Sequence, residues 1–268
     1  MDWTAPIDGY CERLSPAFWA EPVNALTNAA FLLAALVALL HARRIGQARG
    51  AVTVLCLLLA AIGMGSLAFH TFATRWAALA DVVPIQLFSL VALVAGLHRF
   101  TGAQGRRTAL LVPPVLALLI GATWGLALIA PPLLRGAVGY APAFLSLWGF
   151  AALTAAQRSP PFGRMATAAL VFTASLTART LDGPLCAVLP LGTHWLWHLA
   201  NAVTLALVIG VLARQGALLR RRQERRADCP PHGPSPSGRL TDRPTCPRAA
   251  RWARYRARRG GRRWRAGR

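Results

Sequence analysis

Three histidines lie at the ends of apolar stretches, and two of them have the spacing of one helix face. His194 and His198 are four residues apart at the start of the stretch 191–213, and His70 ends the stretch 51–71. Side chains at i and i+4 share a face, so this pair can bind one metal ion. A third histidine from another helix would complete a three-ligand zinc site with one position open for water. The alternative is a set of interfacial histidines that hydrogen-bond to their neighbours.

Two further polar residues accompany these histidines and could do chemistry. Asp81 begins an apolar stretch, where its carboxyl group could take a proton from water or orient a histidine. The alternative role for Asp81 is a helix N-cap. Ser66 precedes His70 by four residues, so it shares that face and could donate a hydrogen bond to a developing oxyanion. The alternative for Ser66 is a small residue that lets helices pack closely.

The composition divides the chain into an apolar body and a basic tail. The whole chain is 55% hydrophobic and 15% charged, with a net charge of +21. Residues 1–213 contain 12 arginines and 6 acidic residues, whereas residues 214–268 contain 18 arginines and 3 acidic residues. The body is typical of a multi-pass membrane protein, and the tail is typical of a solvated segment.

Seven stretches of the body are long and apolar enough to cross a bilayer, which needs about 20 residues per helix. They are 23–40, 51–71, 80–96, 109–130, 137–156, 165–181 and 191–213. The sequence therefore predicts an all-α fold, with a seven-transmembrane helix bundle over 23–213 after an outer N-terminal segment, 1–22.

The distribution of arginine predicts the orientation of this bundle. Alternate connections, beginning with the first, contain eight arginines, and the other side contains four. Because arginine is enriched in cytoplasmic connections, the N-terminus is expected outside and the tail in the cytoplasm. With this topology Ser66, His70, Asp81, His194 and His198 all lie near the outer surface.

The tail, 214–268, is rich in arginine and proline, and we expect it to be disordered because it cannot bury a core. Arginines next to the inner leaflet would attract anionic lipid. Since the tail follows seven predicted spans, lipid contact is favoured over nucleic-acid binding, and no nucleic-acid partner is expected. A role of the tail in retention or membrane topology is favoured over both.

These residues together resemble the alkaline ceramidase family of seven-span zinc hydrolases. The resemblance covers nearly all of residues 8–213 and leaves the tail outside it. It rests on Tyr10-Cys11-Glu12, Glu21-Pro22-Val23-Asn24, Asn28, Ser66 with His70, Asp81, and His194 with His198. The resemblance implies that the three histidines bind zinc, that Asp81 activates water and that Ser66 supports the oxyanion. We interpret the chain as a bacterial-type member of this family and expect it in the bacterial inner (plasma) membrane.

The resemblance extends to two features of the outer segment. In eukaryotic members this segment binds calcium; Asp8, Glu12 and Glu21 are the candidates here, although Gly9 and Leu14 depart from the pattern. Cys11 and Cys186 are both expected on the outer side, where their spacing alone is compatible with a disulfide or with two free thiols. The resemblance implies that they form a disulfide.

The functional hypothesis is an intramembrane zinc-dependent amidase that hydrolyses the N-acyl bond of ceramide or a related N-acyl lipid. The alternative is a non-enzymatic seven-transmembrane receptor or transporter in which the histidine cluster binds a proton or a ligand. Bound zinc would favour the enzyme, and a titrating but metal-free cluster would favour the alternative.

Overall fold

The computed structural model describes residues 2–103 and 105–228 of the chain. The regular elements of this part are helices, which agrees with the predicted all-α fold. They are α1 (Pro22–Thr27), α2 (Ala29–Arg44), α3 (Ala51–Phe72), α4 (Arg75–Thr101), α5 (Arg106–Ile129), a 3₁₀ helix (Pro132–Tyr140), α6 (Ala141–Ala156), α7 (Phe162–Leu185) and α8 (His194–Asp228).

Six helical segments of the described chain are long and apolar enough to cross a membrane. They are α1 with α2, α3, α4, α5, the 3₁₀ helix with α6, and His194–Arg221 of α8. The chain is therefore a multi-pass membrane protein. Helix α7 coincides with the sixth predicted stretch but is less apolar, because it carries Arg164, Arg179 and Asp182. The count of seven spans and the orientation stay predictions.

Helix α8 extends further than the sequence analysis expects. We expected the disordered tail to begin at residue 214, but the structure continues the helix through Asp228. The stretch 214–228 is rich in arginine, alanine, leucine and glutamine, which favour helix, and Arg220 pairs with Glu224 one turn on. The rest of the predicted tail, with its expected lipid contact, lies outside the described residues.

The apolar core forms where α2, α3, α4, α6, α7 and α8 pack together. Helix α3 contributes Leu55, Leu59 and Ile62, each almost completely buried, and α8 contributes Ile209 and Leu212. Helix α5 instead buries few side chains and exposes most of its leucines, which suits a helix facing lipid. This core positions α3 and α8 side by side, and they carry the three histidines.

The N-terminal segment is attached to the helix ends by backbone and side-chain contacts. Pro6 forms an isolated antiparallel bridge with Thr74, between α3 and α4, and the Ile7 amide donates to the Ala73 carbonyl at 2.7 Å. Further along the segment, a disulfide joins Cys11 to Cys186, just after α7. The segment is therefore held over the same ends of the bundle that carry the histidines.

Helices α3 and α4 approach very closely at one glycine. A Cβ atom at Gly65 would overlap the backbone carbonyl of Ala80 and crowd the amide of Asp81. Because Ser66 follows Gly65 in the chain, this approach places Ser66 and Asp81 next to each other. The glycine is therefore required by packing, and it also sets the relation between two of the predicted catalytic residues.

Replacing this glycine tests the role of the close approach. Gly65→Ala should lower the free energy of unfolding by roughly 1–3 kcal/mol, because the two helices must separate to admit the methyl group. Thermal unfolding of the purified protein in detergent measures the effect. Gly125→Ala on α5 is the control, since a Cβ there meets no other atom within 4 Å. Equal melting temperatures for both variants would contradict the proposed close packing.

Candidate metal centre

The structure brings the three histidines together inside the bundle. His70 lies in the last turn of α3, and His194 and His198 occupy the first two turns of α8. One ligand atom from each ring lies within 4.8 Å of the other two. The residues are 1%, 2% and 1% exposed, respectively. The predicted spacing and common depth therefore produce one buried cluster that could hold a metal ion.

Each ring of the cluster presents a nitrogen that no protein atom in the described residues satisfies. The atoms are His70 Nε2, His194 Nδ1 and His198 Nε2, all fully buried and without a hydrogen-bond partner. Leaving a buried polar atom unpaired costs roughly 1–3 kcal/mol, so three in one place require an explanation. A metal ion bound by the three nitrogens would satisfy them all, and this donor set fits zinc.

The opposite nitrogens of two rings are held by polar partners, which orients the free nitrogens. His70 Nδ1 lies 2.5 Å from Glu21 Oε2, and since a carboxylate can only accept, the imidazole must donate. His198 Nδ1 lies 2.8 Å from the Thr27 hydroxyl, which donates its own proton to the Val23 carbonyl and so accepts from the ring. Both rings thus carry the proton on Nδ1, which leaves the Nε2 lone pair available to a metal.

Glu21 is itself held by a cation and an amide. Arg13 Nε donates to Glu21 Oε1 at 2.5 Å, and Asn24 Nδ2 donates to Oε2 at 3.2 Å. Burial acts to raise the pKa of Glu21, but the hydrogen bonds from His70 and Arg13 and the charge of Arg13 hold the pKa below its ordinary value. The carboxylate therefore stays ionised and keeps accepting the His70 proton.

His194 is positioned by stacking and by its backbone. The Tyr10 ring stacks on the imidazole, with ring centroids 3.7 Å apart, and burial raises the Tyr10 pKa, so the phenol stays neutral. The Asp182 carboxylate accepts hydrogen bonds from the amides of Thr193 and His194 at 2.7 and 2.9 Å. A carboxylate at this position caps the start of α8, where backbone amides otherwise lack partners.

The two predicted catalytic residues adjoin the cluster. Ser66 is buried on α3, one turn before His70. Asp81 on α4 is half-buried and lines a cavity together with Tyr10 and Phe69. The backbone of Asp81 lies against Gly65, the residue that precedes Ser66. An acid, a hydroxyl group and three imidazoles therefore meet at one place.

The predicted calcium ligands do not meet in the same way. Glu12 accepts hydrogen bonds from the amides of Val23 and Asn24 and so caps α1, whereas Asp8 is exposed. Glu21 pairs with Arg13 and His70. Within the described residues, the three carboxylates do not lie close enough together to share one metal ion. Arg13 supplies a positive charge instead, with hydrogen bonds to the carbonyls of Ser15, Ala17 and His70 besides Glu21. The residues present do not fit a calcium ion.

Several residues that organise the cluster stand outside the site predicted from the sequence. Thr27 carries no recognisable signal, because its contact with His198 joins residues far apart in the chain. Arg13 and Asp182 could have been noticed as charged residues close to predicted spans. Arg179 lies inside the sixth predicted stretch, and an ionisable residue at membrane depth indicates a functional site.

Comparison with known proteins agrees with this geometry. A family model described as Ceramidase matches residues 3–229. The chain therefore belongs to the ceramidase family, which confirms the resemblance to the alkaline ceramidases. A search of curated proteins finds no significant match. Membership implies an amide hydrolase with a lipid substrate, and the histidine cluster is where such an enzyme could hold its metal.

Metal content tests the cluster directly. His198→Ala should lose the bound divalent metal, because two imidazoles cannot replace the three-nitrogen set. Elemental mass spectrometry of the detergent-purified protein gives the metal per chain. His41→Ala, in the last turn of α2 and outside the cluster, should retain it. An unchanged stoichiometry in His198→Ala would rule out the cluster as the binding site.

Two measurements test whether the charge of Arg13, and not a calcium ion, supports the Glu21 carboxylate. Arg13→Gln should weaken metal affinity about 10- to 100-fold, because Glu21 loses its charged partner and holds His70 less firmly. The wild-type melting temperature should be the same in calcium and in a calcium-selective chelator. Metal affinity is read by competition with a chromogenic chelator, and Arg75→Gln provides an exposed arginine as control. A calcium-dependent rise in the wild-type melting temperature would contradict the conclusion that these residues do not fit a calcium ion.

Proposed function

We propose that the protein is an intramembrane zinc-dependent amidase that hydrolyses the N-acyl bond of ceramide or a related N-acyl lipid. The observation that carries this proposal is the buried cluster of three imidazole nitrogens without partners, adjacent to a carboxyl group and a serine hydroxyl group. Membership of the ceramidase family supports the same reaction.

Zinc is the proposed metal because three neutral imidazoles form a typical catalytic zinc set with one open position. His70, His194 and His198 would hold it. When bound, zinc would make water a nucleophile at neutral pH and polarise the amide carbonyl. The hydrogen bonds from Nδ1 of His70 and His198 would keep both rings oriented throughout the reaction.

Asp81 is proposed as the general base and acid. Its carboxylate would accept the proton of the attacking water and then donate that proton to the nitrogen of the departing amine. Ser66 would donate a hydrogen bond to the oxygen that gains negative charge when the carbonyl is attacked. The close approach of Gly65 to the backbone of Ala80 and Asp81 supports a joint role for the two side chains.

The acyl chain would occupy an apolar cavity between the helices. Side chains from α3, α4, α6 and α8 line this cavity, among them Ile62, Phe88, Phe150 and Leu205. Tyr140 lines both this apolar cavity and a second cavity, lined by Tyr10, Asp81 and Arg179 among others, which we call the polar cavity. A lipid amide at the boundary would therefore have its chain in apolar surroundings and its scissile bond near the carboxyl group.

The proposed enzyme would cross a bacterial inner membrane seven times, with α7 as the additional span and the N-terminal segment outside. The disulfide between Cys11 and Cys186 suits this orientation, because disulfides persist on the oxidising side of a membrane. The excess of arginine in the alternate connections agrees with the same topology.

Asp81→Asn separates chemistry from metal binding. The variant should keep its metal but lose about 10²- to 10⁴-fold in kcat, because an amide cannot accept the water proton. Fatty-acid release from a panel of N-acyl lipids that includes palmitoyl ceramide, in mixed micelles, measures turnover beside the metal content. Asp2→Asn, exposed in the N-terminal segment, is the control. If Asp81→Asn retained near-wild-type turnover, another residue would have to be the base.

A further inference from the structure

Arg179 is a cation among apolar helices, and the mechanism above does not use it. It projects from α7, where one nitrogen, Nη1, donates to the Gly136 carbonyl at 2.9 Å. The guanidinium lies 5.0 Å from the ring centroid of Tyr140 and 5.9 Å from that of Trp197. Its Nε is fully buried and has no hydrogen-bond partner in the described residues. The cation–π contacts and the hydrogen bond to Gly136 hold the group in place, while Nε keeps a donor that no described residue uses.

The nearby carboxylates do not neutralise this cation by direct contact. Asp182 is occupied by the amides of Cys11, Thr193 and His194. Glu21 is occupied by Arg13 and His70. Within the described part of the chain, Arg179 forms no ion pair with a carboxylate. A half-buried arginine without an ionic partner is costly among apolar helices, which indicates that a ligand supplies the negative charge.

The guanidinium lines a cavity that also receives the proposed catalytic carboxyl group. This cavity has a volume of about 380 Å³ and is lined by Tyr10, Asp81, Gly136, Tyr140 and Arg179, among others. Its two tyrosines can donate hydrogen bonds through neutral phenol groups. Since Tyr140 also lines the apolar cavity, a lipid with its chain there would extend its head group towards Arg179.

We infer that this polar cavity binds an oxyanion, a carboxylate or a phosphate, on the head group of the N-acyl lipid and that Arg179 is the residue that selects it. The inference rests on the proposed function and refines its substrate class. A guanidinium can bind such a group through two parallel hydrogen bonds, which gives both affinity and orientation. Neutral ceramide offers only hydroxyl groups and would leave the cation without its partner. An acidic N-acyl lipid would therefore be preferred.

Non-hydrolysable lipids test this inference without relying on turnover. Hexadecyloxyacetate and hexadecyloxyacetamide share one chain and differ only in carboxylate against carboxamide, and hexadecyl phosphate against hexadecanol tests the phosphate. Dissociation constants are measured on the full-length, metal-loaded protein in neutral detergent. We expect the wild type to bind at least one anion roughly 10- to 100-fold more tightly than its neutral partner, as charged hydrogen bonds require. The ligand pair with the larger ratio of neutral to anionic dissociation constant identifies which oxyanion, carboxylate or phosphate, the cavity binds.

Two variants assign that preference to Arg179. Arg179→Gln should bring the ratio close to one, whereas Arg75→Gln, an exposed arginine at the start of α4, should leave it unchanged. Equal affinity of the wild type for both members of each pair would overturn the inference whether or not Arg179→Gln folds. So would an anion preference that survives in a folded Arg179→Gln protein, because the anion would then bind elsewhere. Failure of the amidase proposal would appear separately, as no fatty-acid release from the panel of N-acyl lipids.

Discussion

The Glu21 carboxylate is the group on which the arrangement of the site depends. One oxygen accepts a hydrogen bond from Arg13, and the other accepts from His70 and Asn24. These side chains belong to the N-terminal segment, α1 and α3, so one buried charge joins three parts of the chain at one depth. Water cannot replace a lost partner among apolar helices, and each group therefore constrains the others. The orientation of His70 follows from this network.

A second carboxylate performs the corresponding task at the start of α8. Asp182 binds the amides of Cys11 and His194, and the neighbouring disulfide joins Cys11 to Cys186. Gly192 has a φ of +62°, and a Cβ atom there would collide with the Asp182 carboxylate, so this turn requires glycine. The N-terminal segment is thus attached to both histidine-bearing helices. This explains how an N-terminal segment without regular structure can fix a site inside the bundle.

The sequence predicts the helices and the cluster better than it predicts what holds the cluster. Span length, hydropathy and the i, i+4 spacing are local properties, so the apolar stretches and the shared depth of His70, His194 and His198 could be inferred directly. The partners of the rings could not, because Thr27 reaches His198 only through the packing of α1 against α8. The end of α8 was placed too early since composition marked the basic stretch as a tail, although its residues favour helix. Arg13 directly follows Glu12 in the chain, but its contact with Glu21 depends on how the N-terminal segment folds back on itself.

The charged residues around the cluster divide into two groups according to how their charges are matched. Arg13 and Glu21 form an ion pair, and the Asp182 carboxylate accepts three backbone amides, so these charges are matched within the protein. Within the described residues, Asp81 and Arg179 line one cavity, and neither forms an ion pair. An acid that transfers a proton must be free to change its charge, and a cation that selects a ligand must be free to accept one. The two residues that meet these conditions both face the polar cavity, which Tyr140 connects to the apolar one. Chemistry and head-group selection are therefore expected in the same cavity. The acyl chain would lie on the other side of the lipid amide, in the apolar cavity.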